Sequence, residues 1–205
     1  MNGWCEHKGK AIVLDIENVD TDQLIPARFM STSRADGYGS FLLHDMRLDN
    51  NGALDPDFPL NRYPNATVLV GRRNFGSGSS REAAVYALVD FGFRAVIAPN
   101  FGDIFESNSV NNGLLPACVE DQGLARLISL IGEGEVELKL DILEREIIVG
   151  NHTIPFNLSE AKAQKLVNGW DDIDLTVHQS PAISTYRARR TKRLPWVFPA
   201  EETAG

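Results

Sequence analysis

The run GRRNFGSGSSREAAVYAL, residues 71–88, gathers three serines, three arginines, three glycines and a glutamate between two apolar stretches. Hydroxyls from Ser77, Ser79 and Ser80 and the cation of Arg81 suit the binding of a carboxylate or a phosphate. Gly76 and Gly78 let the backbone approach a ligand closely. ATVLVG (66–71) reads as a strand entering this turn, and SREAAVYALVDFG (80–92) as a helix leaving it, closed by Gly92. Free backbone N–H groups then converge outside the strand's end, where the helix dipole adds about half a positive charge. A second reading is plain capping. Ser79 and Glu82 have capping-box spacing, with Ser79 as N-cap and Glu82 at the third helical position. Capping leaves Ser77, Ser80, Arg81 and both glycines without a role, so the two readings stand side by side.

Other chemistries fit less well. A Walker phosphate loop requires GxxxxGK[ST], and this stretch has no lysine. GSGSS lacks the spacing of a GxSxG nucleophile elbow. The four histidines, His7, His44, His152 and His178, are scattered and read as surface or satisfied side chains.

The elements that must position this turn follow from patterning. Ala11–Leu14, residues 66–71 and FRAVIAPN (93–100) are apolar without alternation, the signature of parallel strands buried on both faces. They are interleaved with the 80–92 helix and with FGDIFESNSVNNG, a short helix ending near Gly113 that leads into LLPACV. Pro26 sits in or beside a short helical turn, SRADGYG (33–39) is a polar loop, and residues 49–65 are a long connection with three prolines. Downstream, Val136, Leu138, Leu140 and Ile142 alternate with charged residues, and Gly150-Asn151 forms a turn, which predicts antiparallel strands with one wet face. Ser159 and Gly169 bound a last short helix. The expected architecture is one α/β domain with a mixed sheet over residues 1–190, and a tail over 191–205.

The chain has 205 residues, 43% of them hydrophobic, enough for one domain core. A net charge of −8 argues against an electrostatic grip on nucleic acid or on an anionic membrane. The basic YRARRTKR (186–193) reads as a solvated tail, although Trp196 and Phe198 beyond it are candidates for packing on a partner. Cys5 and Cys118 are far apart, form no CxxC and cannot supply four thiolate ligands, so no metal ligands are expected in this chain. Without an apolar core of signal-peptide length near the N-terminus, or a run of about 18 apolar residues, a cytoplasmic chain is expected.

Four ordered stretches, NVDTDQLIPARFM, GRRNFGSGSSREAA, GFRAVIAPNFGDIFESNSVNNGLLP and NGWDDIDLTVHQSPAISTYRARR, resemble the small-subunit family of the 3-isopropylmalate dehydratases and the swivelling domain of aconitase. The resemblance runs from about residue 8 to about residue 190. It implies a swivelling β/β/α domain that docks on a separate large subunit carrying a four-iron four-sulfur cluster on its own cysteines. It implies dehydration and rehydration of a small hydroxy-dicarboxylate, in leucine biosynthesis, by the two subunits together. Ser79 would be the general base, and Ser80 and Arg81 would bind a substrate carboxylate. Thr21 and Asp22 would edge the site, and Arg34, in a loop bearing on substrate choice, would grip a second carboxylate. Ser77 stands where the leucine enzymes usually show cysteine, and Ala83 where a histidine usually follows the glutamate. These departures keep two alternatives open: a relative acting on citraconate/citramalate, dimethylmalate or homoaconitate-type acids, and a non-catalytic binding module of the same fold.

Overall fold

The structure is a computed structural model that describes residues 2–49, 51–79 and 81–197, with the backbone alone at Asp36. Among these residues seven strands form one mixed sheet: β1 (Glu6–Val13), β2 (Val68–Val70), β3 (Ala95–Ala98), β4 (Leu115–Cys118), β5 (Val136–Asp141), β6 (Glu146–Val149) and β7 (His152–Pro155). Their order is β4-β3-β2-β1-β5-β6-β7. β1 to β4 are parallel neighbours, while β5 runs antiparallel to β1 and starts an antiparallel meander through β6 and β7. The two edges of the sheet meet where the Asn157 N–H donates to the Cys118 carbonyl at 2.7 Å, so the sheet curls on itself.

Successive residues of the parallel strands enter two cores, one on each face. Ala11, Val68, Val70, Ala95 and Ile97 belong to one. Ile12, Leu69, Val96 and Ala98 belong to the other. This double burial is why those strands are apolar at every position. In β5–β7 only one face is covered, by Leu138, Leu140, Ile147, Val149 and Ile154.

Six helices clothe this unit: α1 (Thr21–Leu24), α2 (Pro59–Arg62), α3 (Glu82–Phe91), α4 (Asp103–Asn111), α5 (Asp121–Ile131) and α6 (Glu160–Asn168). α3 buries Ala84, Ala87 and Leu88 and stops at Gly92, which takes the left-handed conformation. α6 is capped by Ser159 and ended by Gly169, as the sequence indicates. α2 interrupts the 49–65 connection with a proline in its first turn. α5 went unread in the sequence, although Leu124, Leu127 and Ile131 mark one helical face.

The chain divides into two compact units after Trp170. This departs from the boundary drawn at 190/191 by sequence, because residues 171–193 fold into α7 (Asp172–His178) and α8 (Ser180–Arg193) rather than completing the first unit. Asp171 caps α7 through the N–H groups of Ile173 and Asp174. Neither helix buries a side chain. Phe198 lies outside the described residues.

Candidate functional site

The site is built where the loops leaving β1, β2 and β3 run on as a short extension of the sheet. The Asn18 N–H donates to the Arg73 carbonyl at 2.9 Å, Gly76 N–H to Val19 at 2.7 Å, and Thr21 N–H to Ser77 at 2.9 Å. On the other side Phe75 bridges Phe101 in parallel, and the Gly102 N–H donates to the Phe75 carbonyl at 3.0 Å. The Gly/Ser turn is thus the middle of three extended segments at the carboxyl ends of parallel strands, where open α/β sheets place ligands. Gly76 has φ +71°, and a Cβ there would lie 2.2 Å from the ring of buried Phe105, so no other residue fits.

Asp20 accepts the Gln23 N–H while the Gln23 side chain accepts the Asp20 N–H, a capping box that starts α1 and fixes Thr21 in its first turn. Thr21 is fully buried, and its Oγ1 lies 3.4 Å from Ser79 Oγ. Arg81 donates to the Asp22 carboxylate, and its side chain is 22% exposed against 51% for Asp22. Four of the six residues singled out by sequence, Thr21, Asp22, Ser79 and Arg81, therefore stand together. Ser80 lies outside the described residues.

Arg34 lies further along α3, beside Tyr86 and Asp90 rather than Arg81. Its guanidinium lies over the Tyr86 ring, 3.6 Å from the centroid, and 3.7 Å from an Asp90 carboxylate oxygen, along the second and third turns of α3. Asp90 also accepts the Tyr38 N–H at 3.0 Å, which ties the Arg34 loop to the helix. Burial, reinforced by Glu82, pushes the Tyr86 phenol above its ordinary pKa. Sequence reading missed Tyr86 and Asp90, although their four-residue spacing places both on one face of α3.

The capping reading of the turn is corrected. Helix α3 begins at Glu82, its N-cap is Arg81, and no side chain among the described residues caps it. Ser77 pairs with Asp20, Gly76 and Gly78 take positive φ, and Arg81 is itself extended, so the helix starts only after it. Glu82 accepts from Asn112 Nδ2 at 3.0 Å instead of reaching back. Ser79 is exposed and free of capping duty.

Within the cluster Ser79 and Asp22 are exposed, Arg81 is half-buried and Thr21 is buried. A surface cavity of about 530 Å³ lies against α5 and β7, between Gln122, Arg126 and Thr153, away from these residues. Among the described residues no group of three or more His, Cys, Asp and Glu is placed to hold a metal ion. No helix among them is long and apolar enough to cross a membrane.

Residues 1–122, which hold the whole cluster, match the aconitase C-terminal domain family. The chain is 43% identical over 194 residues to the 3-isopropylmalate dehydratase small subunit of Rhodospirillum centenum, covering 93% of this chain and 96% of that one. The chain belongs to the family of 3-isopropylmalate dehydratase small subunits. Another member, from Anoxybacillus flavithermus, is 42% identical over 195 residues, covering 93% of this chain and all of its own. A solved 3-isopropylmalate dehydratase (leuD) structure from Methanocaldococcus jannaschii superposes with a TM-score of 0.63 at 28% identity, over 88% of this chain and 99% of that one. The mixed curled sheet is thus the fold of this family.

Proposed function

We propose that the chain acts as the small subunit of a 3-isopropylmalate dehydratase, a hydro-lyase assembled with a large subunit, and that it contributes Ser79, Thr21, Asp22 and Arg81 to a shared active site. The observation that carries this is the pairing of the Ser79 and Thr21 hydroxyls beside the Arg81–Asp22 pair on an open face. A shared site needs such a half: Ser79 and Asp22 are exposed to an incoming subunit, while Thr21 is buried.

The reaction removes a proton from the carbon α to a carboxylate and hydroxide from its neighbour, giving an unsaturated diacid. Water then returns with the hydroxyl on the adjacent carbon. Ser79 Oγ takes and returns the proton. A serine oxygen is basic only as the alkoxide, and that form is favoured by a donor and a positive charge close by. Thr21 Oγ1 is the donor, and Arg81 the charge. Arg81 also binds a substrate carboxylate, with Asp22 holding one nitrogen of the guanidinium. Ser80 joins that carboxylate's binding, and Arg34 grips the second carboxylate. An iron–sulfur cluster on the large subunit would supply Lewis acidity for the loss of hydroxide.

The test is reconstitution. The chain mixed with its cluster-loaded large subunit should turn over 2-isopropylmalate, seen as ultraviolet absorbance of the unsaturated acid, and the chain alone should not. Turnover of a different hydroxy-dicarboxylate in its place would point to the relatives suggested by Ser77 and Ala83. No turnover of any such acid would leave a binding module.

A further inference from the structure

Two identical tripeptides, Asn74-Phe75-Gly76 and Asn100-Phe101-Gly102, follow β2 and β3 and lie side by side in the structure. Their phenylalanine rings meet edge to face with centroids 6.4 Å apart, and Phe105 packs against both. A Cβ at Gly102 would lie 2.6 Å from the Gly76 carbonyl oxygen, so the second glycine is what lets the two turns touch. The asparagines link these turns to each other and to the loop after β1. Asn100 Oδ1 accepts the Asn74 N–H, and the Asn100 carbonyl accepts the next one, from Phe75, at 3.3 Å. Asn74 Nδ2 donates to Asn18 Oδ1 at 3.0 Å. Asn74 and Asn18 have φ of +60° and +57°, a left-handed conformation that non-glycine residues hold only where surrounding contacts fix it.

We infer that Asn18, Asn74 and Asn100 form a positioning ladder that sets the register of the Ser79 turn against Thr21. The inference rests on the proposed role of Ser79. Asn18 leads directly into the segment carrying Thr21, and Asn74 into the segment carrying Ser79. The bonds from Gly76 to Val19 and from Thr21 to Ser77 then carry the register set by the asparagines to the two hydroxyls. None of the three is a catalytic residue. Each acts through the backbone of the loop it orders.

Two variants test this, Asn100→Ala, which removes the acceptor, and Asn100→Asp, which keeps a carboxylate oxygen in its place. In the isolated full chain, amide hydrogen exchange over residues 74–79 should quicken about tenfold in Asn100→Ala, while β2 and β3 keep wild-type protection. In the reconstituted pair, kcat should fall about tenfold with KM changed less than about twofold. Asn100→Asp should restore protection and most of kcat. Unchanged exchange in Asn100→Ala would overturn the ladder. So would faster exchange with undiminished kcat, or an Asn100→Asp variant no better than Asn100→Ala. A wild-type pair without turnover would instead overturn the functional reading, and the exchange measurement would still decide whether the ladder holds the turn.

Discussion

At 3.4 Å, the Thr21 and Ser79 oxygens are at the long limit of a hydrogen bond, a separation common where a reactive pair tightens only around its substrate. Arg81 differs in having a partner already: Asp22 occupies part of its fork, which costs the isolated chain little and aims the guanidinium. Replacing it by lysine keeps the charge and loses the fork. In the reconstituted pair, Arg81→Lys should raise KM by about tenfold and change kcat less, as read from initial rates over a substrate series. Ser79 and Arg81 stood out in the sequence because hydroxyls, a cation and glycines crowd one turn, whereas Thr21 and Asp22 stood out only through the family resemblance. What was illegible was their local duty. The spacing of Ser79 and Glu82 suits a capping box, yet Asp20 draws Ser77 into an extended pairing from a point far back in the chain, and the helix starts later. Local spacing cannot report a contact with such a distant segment. Arg34 is the other case, since its partners Tyr86 and Asp90 lie on a helix more than fifty residues onward.

Elements were read best where one physical signal dominated. Continuous apolar runs gave β2 and β3, a left-handed glycine closed α3, and Ser159 with Gly169 bounded α6. α5 carries a clear apolar face, but a glycine, Gly123, sits in its first turn and no side chain among the described residues caps its start. That glycine lets the helix approach β7, since a Cβ would meet Ile154 at 3.1 Å. The extension of the sheet beyond β1, β2 and β3 is the element that makes the site, and Gly76 is its tightest point. Gly76→Ala places a Cβ into the Phe105 ring and forces a positive φ on alanine. It should destabilise the first unit by about 2–5 kcal/mol in urea unfolding, far above the effect of a surface substitution.

For the whole molecule, the architecture divides labour between the two faces and one end of the sheet. The faces are filled by the two cores, and the carboxyl ends of the parallel strands are left to carry the cluster of Thr21, Asp22, Ser79 and Arg81. An acidic chain with such a cluster suits a small organic acid held between two subunits better than a polyanion held by one. The second unit, α7 and α8, was legible as a family-like stretch with a basic end but not as helices, because helices that bury no side chain leave a weak apolar pattern. Ser79 is the proposed base. Its most direct test is Ser79→Ala in the reconstituted pair, with dehydration followed by ultraviolet absorbance and folding by urea unfolding. The variant should lose on the order of a thousandfold in kcat, while its stability stays within about 0.5 kcal/mol of wild type because the side chain is exposed. Near-full activity in Ser79→Ala would contradict the assignment.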